Sequence, residues 1–182
     1  EQGQPGWAEQ DPSAWWLAAR RAIRQAIERI DPRRLLVLGV TYQRETFGLF
    51  DRKFHPLRPA ILWLDIRAGG EAEELQTQFP LYHRTTGKPL DATSALARMR
   101  WLQKHEPRIL ERTAWWGDVG SMLLLQLTGR FVSCAAGTDT CGLVNLRTRD
   151  WERRHLEATG LPRRSFPELA EPGTIVGRIT SA

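Results

Sequence analysis

The 182-residue chain is long enough to bury a sizeable core as a single domain, and its 41% hydrophobic and 26% charged residues are typical of a globular protein. No apolar run approaches the roughly 20 residues that span a bilayer, so we expect no membrane partner. The formal net charge is +5, but the basic residues are mostly scattered arginines rather than a cluster, so we expect no nucleic-acid partner.

The first predicted element is an amphipathic helix over residues 15–30. Its apolar side chains recur every three to four residues, while three arginines and a glutamate fall largely on the opposite face. This pattern is typical of a helix that packs on a sheet. The apolar face consists of Trp16, Ala19, Ile23, Ile27 and Ile30.

Three short apolar runs bounded by turn residues follow between residues 35 and 68. Runs of this length are typical of buried strands rather than helices. The first run, residues 35–40, leads to a polar cluster at residues 43–46, and the third, residues 60–64, ends at Asp65. Polar side chains at strand ends form the ligand-binding crevice of many α/β proteins. The runs therefore predict a binding site at their polar ends.

Helices and short strands alternate through the rest of the chain, which predicts an α/β fold. The two cysteines, Cys134 and Cys141, lie seven positions apart, a spacing that matches no metal or redox motif. We therefore predict no metal site, and we expect reduced thiols in a cytoplasmic protein. The predicted helices cover residues 71–79, 81–86, 93–104, a segment that begins at Pro107, 118–127 and 151–158, and the predicted strands cover 143–146 and 174–177.

Gln43, Arg44 and Glu45 form the sharpest candidate for a binding site. A guanidinium presents a planar fork of donors, whereas a carboxylate only accepts hydrogen bonds. Side by side at a strand end, Arg44 and Glu45 can therefore bind the vicinal hydroxyls of a polyol or sugar. A surface ion pair in a hairpin is the alternative interpretation.

Trp63 and Asp65 add a second motif. The indole of Trp63 can lie against the C–H face of a carbohydrate, while Asp65 can accept hydrogen bonds from hydroxyls or orient Arg67. The alternative is a core tryptophan followed by a helix-capping aspartate. Asp139, in a Gly-Thr-Asp-Thr sequence, is predicted to be a turn residue, with a role as a ligand as the alternative.

These motifs resemble those of a known family. The segments GVTYQRETFGLFD, residues 39–51, and LRPAILWLDIRA, residues 57–68, are similar to the N-terminal domain of the FGGY family of carbohydrate kinases, the family of glycerol kinase and xylulokinase. The Gln-Arg-Glu-Thr tetrapeptide is nearer to the glycerol kinase form. Further similar segments follow in the same order and spacing, at residues 6–12, 86–90, 99–107, 127–129, 145–151 and 173–177.

The resemblance implies a ribonuclease H-like domain of the actin, hexokinase and sugar-kinase superfamily, with an incomplete mixed sheet flanked by helices. It also implies Mg²⁺-assisted transfer of the γ-phosphoryl group of ATP to a hydroxyl of a sugar or polyol. By position, Arg44 and Glu45 match the pair that holds the hydroxyls of glycerol, and Trp63 resembles the tryptophan packed against the substrate. Gln43 and Asp65 belong to the same motifs, so these five residues are the predicted substrate-binding residues.

Three departures from the glycerol kinase pattern leave a larger polyol or a ketose open as the substrate. Thr93 occupies the position of a substrate-contacting tyrosine in glycerol kinase. Arg98 occupies the position of the motif lysine, and residues 133–139 differ from the family loop.

The resemblance further implies a partial kinase. Family members carry an Asp-x-Gly-Thr phosphate-loop hairpin upstream of the matching region, and the catalytic aspartate and the ATP-binding domain downstream. We therefore expect residues 1–182 to form one inactive substrate-side domain, with no catalytic residue and no tight binding of ATP or Mg²⁺. Without the first hairpin a sheet edge would be unpaired, which favours homo-oligomers. The alternative function is a kinase-derived binding or interaction module without catalysis.

Overall fold

The computed structural model describes residues 4–180, so the first three and last two residues of the predicted single domain lie outside it. Its main sheet has four antiparallel strands in the order β1-β3-β2-β4. In the register of the β2–β4 pair, Gly48 lies opposite Gly117 and Leu49 opposite Trp116. The strands are β1 (Glu9–Gln10), β2 (Phe47–Phe50), β3 (Ala60–Ile61) and β4 (Trp115–Asp118).

Eight α-helices in the described residues surround this sheet, and two smaller sheets accompany them. The parallel pair β5–β8 and the antiparallel pair β6–β7 make up the smaller sheets. The helices are α1 (Ser13–Ile27), α2 (Gly69–Gln78), α3 (Tyr82–Thr86), α4 (Ala95–His105), α5 (Pro107–Arg112), α6 (Val119–Thr128), α7 (Ala135–Thr138) and α8 (Arg153–Ala158). The remaining strands are β5 (Val132–Cys134), β6 (Val144–Asn145), β7 (Asp150–Trp151) and β8 (Glu168–Ala170).

Strand β2 is the centre of the core because both of its faces are buried. Successive side chains of a strand point to opposite faces. Phe47 and Leu49 accordingly pack into the larger core cluster, whereas Phe50 packs into a smaller cluster with Trp15 and Met122. The core is therefore built around β2, and the burial of this strand fixes the position of the polar turn that precedes it.

The predicted helices are confirmed, with ends that differ by a few residues from those expected. The helix predicted over residues 15–30 is α1, and its expected apolar face includes the half-buried Ile23 and Ile27. The third apolar run forms a strand only over Ala60–Ile61, because a turn that includes Trp63 follows, with the Asp65 N–H bonded to the Leu62 carbonyl.

Two predicted strands are wrong. Residues 35–40 belong to no helix or strand, and Leu36 and Val37 are 95% and 80% exposed. Residues 174–177 likewise form no strand. A strand requires a neighbour for its backbone groups, and within residues 4–180 no backbone hydrogen bond joins residues 35–40 to another segment. An apolar run predicts a buried strand only where such a neighbour exists.

Across residues 4–180, no helix is both long enough and apolar enough to cross a membrane. The fold instead brings three loop segments together beside the main sheet. They are the turn before β2, the turn after β3 and the loop between α3 and α4.

Candidate functional site

The turn at Arg44 and Glu45 leads directly into the buried strand β2. Glu45 has a φ of 67°, a left-handed conformation that is uncommon for residues other than glycine and that requires support from its surroundings. The next residue, Thr46, is buried, and its hydroxyl accepts a hydrogen bond from the Trp63 backbone N–H at 3.1 Å. The backbone of Trp63 is therefore joined to the residue that follows Arg44 and Glu45.

Arg98 of helix α4 supports this arrangement from inside the core. Its side chain is fully buried, and its guanidinium donates to the backbone carbonyls of Glu45 at 3.0 Å and Leu62 at 2.6 Å. It also donates to the carbonyl of Thr93. One buried side chain thus joins all three loop segments, and a planar guanidinium with five donors suits this task.

The Glu45 carboxylate is held from the side by Lys88. The Lys88 ammonium donates to Glu45 Oε2 at 3.0 Å and to the Thr93 hydroxyl at 3.0 Å. Thr93 in turn donates to Asp91 Oδ1 at 2.7 Å. Burial raises the pKa of Asp91, but the Thr93 hydrogen bond and the charge of Lys88 outweigh it and lower that pKa below its ordinary value. The Asp91 carboxylate is therefore stabilised in its charged form.

Arg44 is the exposed member of the turn, and it points towards the segment around α7. Its guanidinium lies 3.5 Å from Asp139 Oδ1 and 3.4 Å from the Ala136 carbonyl oxygen. Gln43 is exposed next to it. Asp139, the turn carboxylate considered as a possible ligand, thus lies next to Arg44.

Trp63 presents an apolar surface beside these polar groups, since its side chain is half exposed although the residue follows a buried strand. Together, Arg44 and Lys88 offer donors, Glu45 and Asp139 offer acceptors, and Trp63 offers a face for C–H groups. Paired donors and acceptors beside an aromatic ring can bind a molecule with several hydroxyls.

Asp65 lies apart from this surface. Of the two roles predicted for Asp65, hydroxyl acceptor or partner of Arg67, the structure shows the pairing with Arg67. The buried carboxylate accepts hydrogen bonds from the Ala8 N–H at 2.6 Å and from the Arg67 guanidinium at 2.7 Å. Burial raises the pKa of Asp65, but these hydrogen bonds lower it by a larger amount, so the pKa lies below its ordinary value. Arg67 also stacks on Trp7, 3.7 Å from the ring centre.

A second buried polar cluster anchors the segment before the turn. The Asp118 carboxylate, at the end of β4, accepts hydrogen bonds from Ser133 and Thr138 at 2.6 Å each and from the Ser121 N–H at 2.7 Å. The Tyr42 hydroxyl lies 3.5 Å from the same carboxylate. Burial and the nearby Asp118 charge raise the pKa of Tyr42. These neutral donors hold residue 42, and hence the adjacent turn, against helices α6 and α7.

The side chains of the candidate site differ in exposure, from 53% for Arg44 to 21% for Glu45 and 13% for Lys88. Two surface depressions of about 350 and 390 Å³ lie elsewhere on the described residues. One is lined by aromatic residues that include Trp115 and Phe131, and the other by the arginines of α1. Neither includes Arg44, Glu45 or Trp63 among its lining residues.

Sequence reasoning missed Lys88 and the contacts of Arg98. Lys88 lies between a glycine and a proline, and no pattern in the sequence predicts that its ammonium reaches Glu45, 43 positions earlier. The sequence shows that arginine replaces the family lysine at position 98, but it does not show that this side chain is buried. A charged residue on the apolar face of helix α4, between Leu96 and Met99, was the available signal.

Comparison with known proteins identifies the family of the chain. The family model for the FGGY family of carbohydrate kinases, N-terminal domain, matches residues 1–182. The chain is 33% identical to a glycerol kinase of Thermococcus onnurineus over 180 residues, and 31% identical to a xylulose kinase of Escherichia coli over 175 residues. These matches cover 95% and 96% of this chain but only 36% of each relative.

Solved structures support the same assignment. A xyloylose kinase from Brucella ovis is 28% identical and superposes with a TM-score of 0.92, over 100% of this chain and 38% of that protein. A xylulose kinase from Rhodospirillum rubrum, at 24% identity and a TM-score of 0.91, shares the fold. The expected sugar-kinase fold is confirmed, and the chain belongs to the FGGY family of carbohydrate kinases, in which it corresponds to the N-terminal domain.

Proposed function

We propose that this chain carries the substrate-binding residues of an ATP-dependent kinase that phosphorylates a hydroxyl of a sugar or polyol. The observation that carries the proposal is the hydrogen bond that joins the backbone of the half-exposed Trp63 to Thr46, the residue after Arg44 and Glu45. Relatives named for glycerol and xylulose phosphorylation support it. Arg44, Glu45 and Trp63 would contact the substrate, Gln43 would line the site, and Asp65 would hold Arg67 and the β1 segment in place.

ATP would supply the phosphoryl group, but no step of the transfer is assigned to this chain. Within residues 4–180, no three His, Cys, Asp or Glu side chains converge as ligands for a metal ion, so we assign Mg²⁺ no residue here. The role proposed for the chain is to bind and orient the substrate hydroxyls, because phosphoryl transfer depends strongly on positioning.

Three further properties belong to the same proposal. We propose a cytoplasmic location, which the two free cysteines support. We propose partners limited to a small sugar or polyol and a second copy of the chain, without nucleic acid or membrane. The scattered rather than clustered arginines support the absence of a nucleic-acid partner. The exposed apolar residues 35–38 support association with a second copy of the chain.

The test measures ADP release over a panel of polyols and ketoses, with the 182-residue chain and with a chain extended at both ends by its flanking coding sequence. We expect turnover only in the extended chain, and the panel then identifies the substrate. Turnover by the short chain would contradict the expectation that catalytic groups are missing from it. Turnover in neither chain would contradict the kinase proposal and favour a non-catalytic binding module.

A further inference from the structure

Lys88 places a positive charge inside the proposed substrate site. It follows Gly87, whose φ of 72° ends helix α3, and it precedes Pro89, which restricts its backbone to extended conformations. Its side chain is only 13% exposed, although lysine is among the residues most often exposed. The ammonium is therefore held at Glu45 rather than in solvent.

The loop that carries Lys88 is fixed on both sides of it. The Lys88 N–H donates to the Thr86 hydroxyl at 3.2 Å, and the Ser94 hydroxyl donates to the Pro89 carbonyl at 3.0 Å. The Gln76 side chain donates to the Leu90 carbonyl at 2.9 Å. A loop tied at three points presents the ammonium in one place, which is the condition for selective recognition.

Each cation of the site is already paired with an acid. Lys88 contacts Glu45 at 3.0 Å, and Arg44 contacts Asp139 at 3.5 Å. Asp91 adds a third negative charge close enough for Lys88 to lower its pKa. The buried Arg98 beneath the same loops adds a third positive charge, so the six residues carry three positive and three negative charges. An anionic ligand would therefore have to separate an ion pair of a balanced cluster.

We propose that Lys88 and Glu45 form a self-neutralised pair that makes the site select neutral sugars and polyols against sugar acids and sugar phosphates. This inference rests on the proposed function of the same site. A neutral hydroxyl can share donors and acceptors of the pair without separating their charges, whereas a carboxylate competes with Glu45 for Lys88. The paired acid thus acts as the repulsive element that specificity requires.

The pair also predicts how the selectivity can be reversed. In Glu45→Gln, the amide keeps the shape of the side chain but no longer neutralises Lys88. The ammonium then becomes available to a carboxylate, so affinity for a sugar acid should rise while affinity for the neutral compound falls. Removal of Lys88 in the same background should abolish the gain, because no other unpaired cation is introduced.

The test is calorimetric titration of the extended chain with matched probes, glycerol against glycerate and xylitol against xylonate. We expect the wild-type protein to bind the neutral member of a pair at least about tenfold more tightly. In Glu45→Gln, the ratio should shift towards the acid by about tenfold or more, and the double variant Glu45→Gln with Lys88→Met should lose that shift. Lys104→Met removes an ion pair with Glu74, outside the site, and should leave the ratio unchanged.

Each outcome separates the two proposals. Equal wild-type affinity for the neutral and acid members would overturn the inference and leave the proposed function intact. Binding of neither member of any pair would overturn the proposed function itself. A shift towards acids that persists in the double variant would show that Lys88 is not responsible. If Glu45→Gln fails to fold, Lys88→Met alone should lower the relative affinity for the acid, and an unchanged ratio would refute the inference.

Discussion

At the scale of single residues, the candidate site depends on a charged side chain that no substrate can reach. Arg98 is fully buried, yet its guanidinium bonds the carbonyls of Glu45, Leu62 and Thr93. Burial of a cation is costly unless its donors are satisfied. Here the terminal nitrogens of the guanidinium donate to three loops that carry Glu45, Trp63 and Thr93, whereas its Nε–H has no partner within residues 4–180. The cost of burial is therefore offset, in part, only when the loops hold their places.

Replacement of Arg98 by methionine should therefore lower the free energy of unfolding by about 3 kcal/mol, because three buried carbonyls lose their donor. Arg98→Lys should lose less, since an ammonium still donates but lacks the planar fork. Urea unfolding followed by tryptophan fluorescence measures both changes. Arg100→Met is the matched control, because Arg100 lies on the same helix and reaches only Gln78, at the surface. Equal losses at positions 98 and 100 would refute the role assigned to Arg98.

His155 predicts a dependence of stability on pH. The imidazole is buried, with its ring 4.8 Å from Tyr82 and 5.2 Å from Phe79. Burial lowers the pKa of His155 below its ordinary value of 6.5. The unfolded chain therefore binds a proton more readily than the folded chain does. The resulting stability is fully present above pH 6.5 and is lost as the pH falls from 6.5 through the lower folded pKa.

Urea unfolding at pH 7.5, 6.5 and 5.5 tests this expectation. The free energy of unfolding should fall at low pH by at most about 1.4 kcal/mol per pH unit from this one group. His155→Phe keeps a buried aromatic ring and should show a weaker pH dependence than the wild-type protein. His83→Gln, at an exposed position of helix α3, should behave like the wild type. Identical pH profiles for wild type and His155→Phe would contradict the assignment.

At the scale of elements, the segment before the site is fixed by the close approach of two helices. The Tyr42 ring lies against Gly120 of helix α6 and against Gly137 of helix α7. A Cβ atom at either glycine would overlap the tyrosine. The absence of side chains at these two positions therefore allows residue 42 to reach the Asp118 cluster, and the turn at residues 44 and 45 follows from that anchor.

Gly120→Ala should destabilise the protein by roughly 1–3 kcal/mol through overpacking, although alanine is favoured over glycine in a helix by about 1 kcal/mol. Gly70→Ala in helix α2, where an added Cβ meets nothing within 4 Å, should instead be neutral or stabilising by up to about 1 kcal/mol. Thermal and urea unfolding measure both. In a Tyr42→Ala background, the cost of Gly120→Ala should largely disappear. Persistence of the full cost there would place the clash elsewhere.

The elements also show which features a sequence can predict. Helices α1 and α4 were predictable because helical periodicity and local turn residues lie within the segment itself. The strand status of residues 35–40 was not predictable, because a strand depends on a neighbour that the segment does not contain. Arg44 and Glu45 were found through a local motif, whereas Lys88 reaches Glu45 across 43 positions. Contacts of this kind depend on the tertiary fold and leave no local pattern.

At the scale of the whole molecule, residues 35–38 form a run of four consecutive exposed apolar side chains. Leu36 is 95% exposed and Val37 80% exposed, in a segment without helix or strand whose backbone pairs with no other segment within residues 4–180. A backbone with unpaired donors and acceptors is a template for another strand. Adjacent exposed leucine and valine side chains add an apolar driving force. Both features favour pairing with the same segment of a second copy.

The 182-residue chain should therefore self-associate at concentrations of about 100 µM, whereas the double variant Leu36→Lys and Val37→Lys should remain largely monomeric. The two lysines remove apolar area and repel their counterparts in a second copy, so both contributions to association are lost. Sedimentation velocity over a concentration series measures the change. Ile175→Lys with Ile179→Lys is the matched control, because it removes two exposed apolar side chains outside the segment. Monomeric behaviour of the wild-type chain, or an equal effect of the control pair, would show that residues 35–38 do not direct self-association.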